Sequence, residues 1–323
     1  MKTFVLSLTL ITAIGSTAVA QTNGGKLVAL NLVALDSAGN TVPDLTASDI
    51  SIFDNNSQQK VVNLQLKQTD GPRALVILFD MMNASRVSRG AIRDELKNSL
   101  AHLPPSDSLY LYLLVEDGSL YPVHGLPNRG SAAPQDSWQQ DIGALLDEAL
   151  NKVDQLKPEE IRVAVPARFN ATCEALDSMR SKMAALVGPK ELLWVTSGIP
   201  SSIHYPGRGW FDGGPGLRQI GARFIQSKIT VYTADPGFDL EHSLLERDSL
   251  DILTRATGGR TFSTIDLNRA ISQALADARS NYTLEYQPTE QNWDGKYHKL
   301  RVISTRKGVR LQSQQGYFAI LGS

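Results

Sequence analysis

The chain has 323 residues, of which 42% are hydrophobic and 20% are charged, and its formal net charge is −1 at pH 7. This composition is that of an ordinary globular protein, and the length predicts one or two domains plus processed ends. A nearly neutral chain has no basic field to attract nucleic acid or anionic lipid, so we predict no nucleic-acid function.

The first twenty residues have the three parts of a secretory signal. Lys2 is followed by an apolar run from Phe4 to Ile14 and then by small residues that end in Ala18-Val19-Ala20. The apolar run is too short for a stable membrane-spanning helix, although an uncleaved anchor is the alternative. We predict cleavage before Gln21, no transmembrane anchor in the mature chain, and a secreted or periplasmic protein. Loss of Lys2 leaves 31 basic and 33 acidic residues, a net charge of −2.

Residues 21–70 have strand patterns. The first, "KLVALNLVALD", is rich in Val and Leu and ends at the turn "SAGN". The second, "DISIFDN", alternates, and the third, "KVVNLQLKQ", places Val62, Leu64 and Leu66 on one face. This predicts an antiparallel β module with too few strands to form a sandwich alone.

Between residues 72 and 280, apolar strands alternate with amphipathic helices. The strand patterns are "RALVILFD", "SLYLYLLV", "ELLWVT" and "ITVYTAD". The helix patterns cover about 89–103, 136–153, 170–186, 217–228, 249–256 and 267–280. Continuous apolar runs are typical of parallel strands that are buried on both faces. The alternation predicts an α/β domain with an open, mainly parallel sheet and helices on both faces.

One long segment interrupts this alternation. The 19 residues Gly198–Gly216 follow "ELLWVT" and show no helix or strand pattern. Long loops at the carboxyl ends of parallel strands often carry the binding site of an open α/β sheet. Among its glycines the segment carries His204, Tyr205, Trp210 and Phe211, and docked aromatic side chains bury a large area. We predict the partner-binding surface here; the alternative is that Trp210 and Phe211 cover the domain's own core.

The C-terminal residues 281–323 return to β patterning. The strand candidates are "YTLEYQP", "KYHKLRVIST" and "VRLQSQQGYFAI", separated by turn-like segments. Like residues 21–70, they are too few to form a stable sandwich alone. We predict that both ends of the mature chain form one small antiparallel β-sandwich module, into which the α/β domain of residues 72–280 is inserted.

The α/β portion resembles the von Willebrand factor A domain. The cues are the apolar strand that ends in Asp80, the amphipathic helix that follows, and a later strand that ends in "VTSG". The mature chain as a whole is similar to the acidobacterial proteins described as VWFA-related. The similar stretches are "LTASDISIFDNNSQQKVVNL", "LFDMMNASR", "KELLWVTSGIP", "ITVYTADPG", "ATGGRTF", "YTLEYQP" and "GKYHKLRV…GVRLQSQQGYFA". The resemblance implies a von Willebrand factor A-like fold and an exported binding scaffold.

The resemblance also indicates where a metal would bind. Metal-binding A domains hold Mg²⁺ with a DxSxS turn, a distant Thr and an Asp in a later turn. Asp80 fits the first position, but Met82 and Ala84 stand at the two serine positions and Ser197 replaces the later Asp. Met and Ala offer no hard oxygen to Mg²⁺. We therefore predict a degenerate metal site and no cofactor.

Other oxygen-bearing residues lie near this turn. Thr172 is the counterpart of the distant Thr, and Asn83 and Ser85 supply oxygens if the turn is shifted by one residue. A metal, if it bound, would use Asp80, Ser85 and Thr172. These residues and Ser197 are the remaining candidates for ligand binding. In the alternative interpretation, Asp80 and Asn83 tie the turn by side-chain to backbone hydrogen bonds.

The sequence offers no positive argument for an enzyme. It contains no GxSxG elbow, HExxH pair or Walker-type motif, and its five histidines are scattered. Its only cysteine, Cys173, lies in an apolar helix pattern, so we interpret it as a buried bystander. We predict a non-enzymatic, exported protein that binds an unknown protein partner. The alternatives are a structural subunit of an envelope assembly and a hydrolase that uses Ser197 or Ser201 with His204.

Overall fold

A computed structural model describes most of the chain. The described residues are 26–68, 74–84, 86–102, 108–127, 141–155, 165–188, 190–205, 209–235, 244–263, 266–289 and 293–320. The predicted signal sequence, Ser85 and the start of the predicted helix 136–153 lie outside them. Among the described residues, no helix is both long and apolar enough to cross a membrane.

The described elements are strands β1–β16 and helices α1–α6, in chain order. The first eight strands are β1 (Val28–Leu35), β2 (Ile50–Asp54), β3 (Ser57–Gln59), β4 (Val61–Gln68), β5 (Ala74–Asp80), β6 (Ser108–Leu114), β7 (Leu120–His124) and β8 (Lys190–Val195). The others are β9 (Ser202–Tyr205), β10 (Gly209–Asp212), β11 (Ile229–Asp235), β12 (Thr261–Ser263), β13 (Ser280–Tyr286), β14 (Tyr297–Ser304), β15 (Arg310–Ser313) and β16 (Gly316–Phe318). The helices are α1 (Arg86–Ala101), α2 (Ile142–Gln155), α3 (Val165–Met183), α4 (Gly214–Gln226), α5 (Leu244–Thr257) and α6 (Leu267–Arg279).

A six-stranded sheet forms the centre of the molecule, in the order β12-β11-β8-β5-β6-β7. All neighbouring strands are parallel except β7, which pairs antiparallel with β6. Leu75, Ile77 and Phe79 of β5 enter one core with α1, α2 and α6, whereas Val76 and Leu78 enter a second core with α3, α4 and α5. The prediction of a mainly parallel α/β sheet is confirmed; β7 was not predicted.

Two antiparallel sheets, which we call the β module, join the two ends of the chain. Their strand orders are β15-β1-β13-β4 and β16-β14-β2-β3. The N-terminal strand β1 lies between the C-terminal strands β13 and β15. Leu30 and Tyr282 of one sheet share an apolar core with Ile52 and Leu300 of the other. The strands at each end of the chain therefore bury their apolar faces against strands from the other end.

A buried carboxylate links four strands of this module. Asp54 at the end of β2 accepts hydrogen bonds from the hydroxyl groups of Tyr286 (2.8 Å) and Tyr317 (3.0 Å). Its other oxygen lies 3.0 Å from Nδ1 of His298. Burial raises the pKa of Tyr286, and it raises the pKa of Tyr317 to about 12. Both tyrosines therefore remain donors at neutral pH.

The β module is hydrogen-bonded to the α/β unit below the end of α5. The backbone N–H of Gln315 donates to the carbonyl of Arg255 at 3.0 Å, and the side-chain amide of Gln312 donates to the carbonyl of Gly259. Gly258 has a φ of +82°, a left-handed conformation that ends α5. A Cβ at Gly259 would collide with the carbonyl of Val231, so the chain passes too closely there for any other residue.

Candidate functional site

The carboxyl end of β5 carries a buried carboxylate with four hydrogen-bond donors. Oδ1 of Asp80 accepts from the backbone N–H of Asn83 at 2.9 Å. Oδ2 accepts from the Asn83 amide at 2.8 Å, from the Thr196 hydroxyl at 2.9 Å and from the Trp194 indole at 3.1 Å. The side-chain to backbone bond is the one expected from the alternative interpretation, in which Asp80 and Asn83 tie the turn.

The polar cluster continues to helix α3. The Asn83 amide also donates to Oγ1 of Thr172 at 3.1 Å, and that hydroxyl donates to the carbonyl of Arg168 at 2.9 Å. Ser197 follows β8 and is buried. In the described part of the chain, neither the Asn83 carbonyl oxygen nor the Ser197 hydroxyl has a hydrogen-bond partner. The amide nitrogen of Asn83 thus bridges Asp80 and Thr172.

The electrostatics of the cluster depend on burial. Desolvation raises the pKa of Asp80, while its hydrogen bonds to Asn83, Thr196 and Trp194 lower it, and burial is the larger effect. A carboxylate offers about four acceptor positions, two on each oxygen. Oδ2 of Asp80 accepts three protein donors and Oδ1 accepts one. Mg²⁺ would have to displace donors from Oδ2, and Met82 and Ala84 add no hard oxygen, so the residues present do not fit the metal site of metal-binding A domains.

Four predicted site residues are therefore buried: three lie in one hydrogen-bonded cluster, and Ser197 follows Thr196, which donates to Asp80. Their exposed fractions are 0% for Asp80, 5% for Asn83, 0% for Thr172 and 2% for Ser197. We predicted these residues as candidates for ligand binding, which a partner would touch. A partner protein cannot reach side chains this deeply buried. In this structure they stabilise the carboxyl end of the sheet from inside the protein. Ser85 lies outside the described residues.

The segment 198–216 is not the structureless loop that we predicted. Strands β9 and β10 pair antiparallel as a hairpin, with Ser202 opposite Asp212, and α4 begins at Gly214. The backbone N–H of Gly213 donates to the carbonyl of Ser201 at 2.7 Å and closes the hairpin base. Strands of four residues are too short to show a reliable alternation, which is why the sequence pattern did not reveal them.

The two aromatic residues of β10, Trp210 and Phe211, have different environments. Trp210 is 69% exposed. Phe211 is half-buried and packs edge-to-face on Phe169 of α3, with ring centroids 5.2 Å apart. Phe211 therefore matches the alternative of a core cover, whereas most of the Trp210 side chain is exposed to solvent. On β9, the backbone of His204 is paired opposite Trp210 and that of Tyr205 opposite Gly209; their side chains are outside the description.

The hairpin is fixed to the α/β unit at its base. Ile199 is fully buried, and its backbone N–H donates to the Ser249 hydroxyl at 3.1 Å. A Cβ at Gly213 would approach the Phe169 ring to 2.5 Å, so a glycine is needed where the hairpin returns to α4. The hairpin that carries Trp210 is thus packed against and hydrogen-bonded to the α/β unit at its base.

Sequence reasoning missed three residues that shape this region. Trp194 and Thr196 donate to Asp80, and Phe169 supports Phe211. The first two belong to the recognised strand pattern "ELLWVT". Their position at the carboxyl end of a strand was the available signal, because Asp80 ends another strand at the same edge of the sheet. Phe169 lies just before the predicted start of α3, so no pattern assigned it to the core.

Comparisons with known proteins identify no family. No family model matches the chain, and no curated protein matches it in sequence. Two solved structures that resemble it are the pilus adhesin SpaC from Lactobacillus rhamnosus GG in its open conformation and the human COPII-coat protein Sec24c. The first has a TM-score of 0.40 and 13% identity and covers 84% of this chain and 41% of its own.

The second has a TM-score of 0.34 and 12% identity, over 77% of this chain and 44% of its own. The chain thus spans less than half the length of either protein. Similarity at this level defines neither a fold family nor a function for it.

Proposed function

We propose that the chain is an exported, non-enzymatic protein that binds another protein through a von Willebrand factor A-like unit with a degenerate metal site. The signal-like first twenty residues support export. The parallel sheet with helices on both faces, together with the family resemblance of its sequence, supports the von Willebrand factor A-like assignment. The partner docks at the carboxyl end of the sheet, on the hairpin of β9 and β10.

The exposure of Trp210 is the observation that carries this proposal. Its side chain is 69% exposed, while its neighbour Phe211 is anchored against Phe169. An exposed large apolar side chain on a rigid support loses little conformational entropy when it docks. Trp is also among the residues that contribute most to binding energy in protein interfaces. The hairpin therefore presents one strong anchor at the edge where open α/β sheets place their sites.

Burial of the nucleophile candidates supports a non-enzymatic role. Ser197 is 2% exposed and Ser201 is 4% exposed, so a substrate could not approach either hydroxyl. Burial raises the pKa of Cys173 to about 12, which keeps the thiol protonated and unreactive at neutral pH. The alternative function, a hydrolase that uses His204, would need Ser197 or Ser201 in contact with solvent.

Site-specific crosslinking tests the proposal. A photoreactive amino acid replaces Trp210 in the full chain, expressed in its native host, and the envelope is irradiated. The matched control places the same residue at Val187, which is 99% exposed and precedes β8 at the opposite end of the sheet. We expect one discrete adduct with another protein from position 210 and none from position 187. Equal adducts from both positions, or none from position 210, would refute the proposal.

A structural subunit is the second candidate, and one observation favours it. Strand β4 is the terminal strand of its sheet, runs for eight residues, and exposes 54% of Val62. An unpaired strand edge is a template for pairing with another chain. Light scattering of the mature chain distinguishes the candidates. A stable oligomer that Val62→Lys dissociates would favour the subunit, and a monomer at micromolar concentration would favour the binding protein.

A further inference from the structure

A polar groove lies between the α/β unit and the β module, at the amino end of the parallel strands. It has a volume of about 360 Å³. A second lobe of about 370 Å³ shares Asp251, Arg255 and Gln315 with it. The groove is bounded by the C-terminal half of α5, the start of β12, and strands β14 and β15. It is therefore at the end of the sheet opposite to Asp80 and Trp210.

The groove has an excess of positive charge. Arg255 pairs with Asp251 at 2.8 Å, and below the groove Arg260 pairs with Asp277 at 2.9 Å. Two further arginines, Arg301 on β14 and Arg310 on β15, line the same groove and are exposed. Within the described residues, no carboxylate lies within ion-pair distance of either. A chain with a net charge of −1 thus has two uncompensated arginines in one concave site.

The position of Arg301 is fixed by an aromatic ring. Its guanidinium lies 4.3 Å from the ring centroid of Phe53 on the neighbouring strand β2. The floor of the groove is also rigid, because the backbone N–H of Gln315 and the side chain of Gln312 bond to carbonyls of the α/β unit. A guanidinium that already rests on an aromatic ring loses less side-chain freedom when it binds an anion.

Two sheet edges open into the groove. Strand β12 ends the six-stranded sheet and β15 ends one sheet of the β module, so each has one side without a neighbouring strand among the described elements. Thr261 of β12 and Leu311 and Ser313 of β15 line the groove. The backbone of an extended peptide can hydrogen-bond to such an edge, while its side chains reach flanking pockets.

We propose that this groove binds an extended segment of acidic peptide. The edges of β12 and β15 take its backbone, and Arg301 and Arg310 take carboxylates of its side chains. The two strand edges favour a peptide over a sulfated oligosaccharide, because only a peptide has a backbone that can hydrogen-bond along them. The site is independent of the Trp210 surface, so either assignment can fail without the other.

Fluorescence anisotropy with a labelled decapeptide that alternates Glu and Val tests this site on the mature chain. We expect saturable binding that weakens as NaCl screens the charges. The variant Arg301→Gln with Arg310→Gln should lose at least tenfold in affinity. The matched control is Lys60→Gln with Lys67→Gln, which removes the same charge from exposed positions on β4 and beside it. The control should bind within twofold of the unchanged protein.

Four results would overturn the proposal. The first is an absence of binding at millimolar peptide, and the second is equal binding of a peptide with Gln in place of every Glu. The third is an equal loss of affinity in the lysine control, which would indicate attraction by net charge alone. The fourth is displacement of the peptide by a sulfated hexasaccharide at lower concentration than by unlabelled peptide, which would assign the groove to a different ligand.

Discussion

The two ends of the six-stranded sheet each contain a buried aspartate, and the two carboxylates are satisfied in opposite ways. At the carboxyl end, Asp80 accepts hydrogen bonds from neutral donors on Asn83, Thr196 and Trp194. At the amino end, Asp277 of α6 forms an ion pair with Arg260, which immediately precedes β12. One end therefore contains a buried carboxyl group without a cation beside it, and the other contains an aspartate–arginine pair with two further arginines in the groove nearby.

Burial dominates at both ends. Desolvation raises the pKa of Asp80 despite its hydrogen bonds, and it raises the pKa of Asp277 to about 7 despite the charge of Arg260. An ion pair therefore does not remove the cost of burying a carboxylate. The two ends differ in the polar groups that remain able to bind a ligand. Neutral protein donors take most acceptor positions of Asp80, whereas Arg301 and Arg310 at the amino end have no acidic partner among the described residues.

Replacement of Asp80 should have the largest effect on stability. Asp80→Ala leaves the buried donors of Asn83, Thr196 and Trp194 without their acceptor, and each such group costs about 1–3 kcal/mol. Since the cluster can partly rearrange, we expect a loss of about 3–5 kcal/mol in the free energy of unfolding, measured in urea at pH 7. Asp94→Ala is the control at an exposed carboxylate and should change stability by less than ~0.5 kcal/mol. A loss below about 1 kcal/mol for Asp80→Ala would mean that the cluster is not the structural support we describe.

Two single substitutions separate the functions of the hairpin residues at the carboxyl end. Phe211→Ala removes the contact with the Phe169 ring and should cost about 2 kcal/mol, less than a fully buried aromatic residue because Phe211 is half-buried. Trp210→Ala should leave stability within ~0.5 kcal/mol and reduce partner binding instead. Thermal unfolding of both variants measures the difference. An equal loss of stability in the two variants would show that Trp210 also covers the core.

The pH dependence of stability tests the amino end. The pKa of Asp277 is raised from 3.8 to about 7 in the folded state, so between these values the folded chain binds more protons than the unfolded chain. Stability from this group is present below pH 3.8 and is lost as the pH rises towards 7. We expect the unfolding free energy of the natural protein, relative to Asp277→Asn, to fall by at least ~1.4 kcal/mol over that range, which corresponds to one pH unit of pKa difference. A flat or rising difference would show that the Arg260 charge outweighs burial.

The parallel sheet and its helices were predictable from the sequence, because each of these elements leaves a hydrophobic pattern over many residues. Continuous apolar runs such as "RALVILFD" indicate strands buried on both faces, and the central sheet contains them as parallel neighbours. Helix α3 begins at Val165 rather than near Asn170, since the sequence pattern alone does not fix where a helix starts. Short elements such as the β9–β10 hairpin and β12 depend on local pairing, which leaves little periodicity to detect.

The candidate site was only partly predictable. The family resemblance grouped Asp80, Asn83, Thr172 and Ser197, and hydrogen bonds link the first three in the structure. The sequence could not show that the cluster is buried. Trp194 and Thr196 cover and bond Asp80 because β8 lies beside β5, and that strand order cannot be read from the sequence. The groove at the amino end was not foreseen at all, because it combines α5, β12, β14 and β15, which are distant in sequence.

The smallest expected effect is that of a divalent metal on the carboxyl end. Millimolar Mg²⁺ or Mn²⁺ should leave the melting temperature unchanged, because three protein donors already bond Oδ2 of Asp80 and Met82 and Ala84 supply no hard oxygen. The unpartnered oxygens of Asn83 and Ser197 are uncharged. Mg²⁺ is usually held in proteins by at least one carboxylate. A ligand that binds only the folded state must raise the melting temperature by mass action, so differential scanning calorimetry would detect a site occupied at these concentrations. A saturable rise that EDTA reverses and Thr172→Val abolishes would contradict this prediction. It would mean that a cation replaces the Asn83 amide between Asp80 and Thr172, and that the carboxyl end of the sheet, like the amino end, can bind a charged ligand.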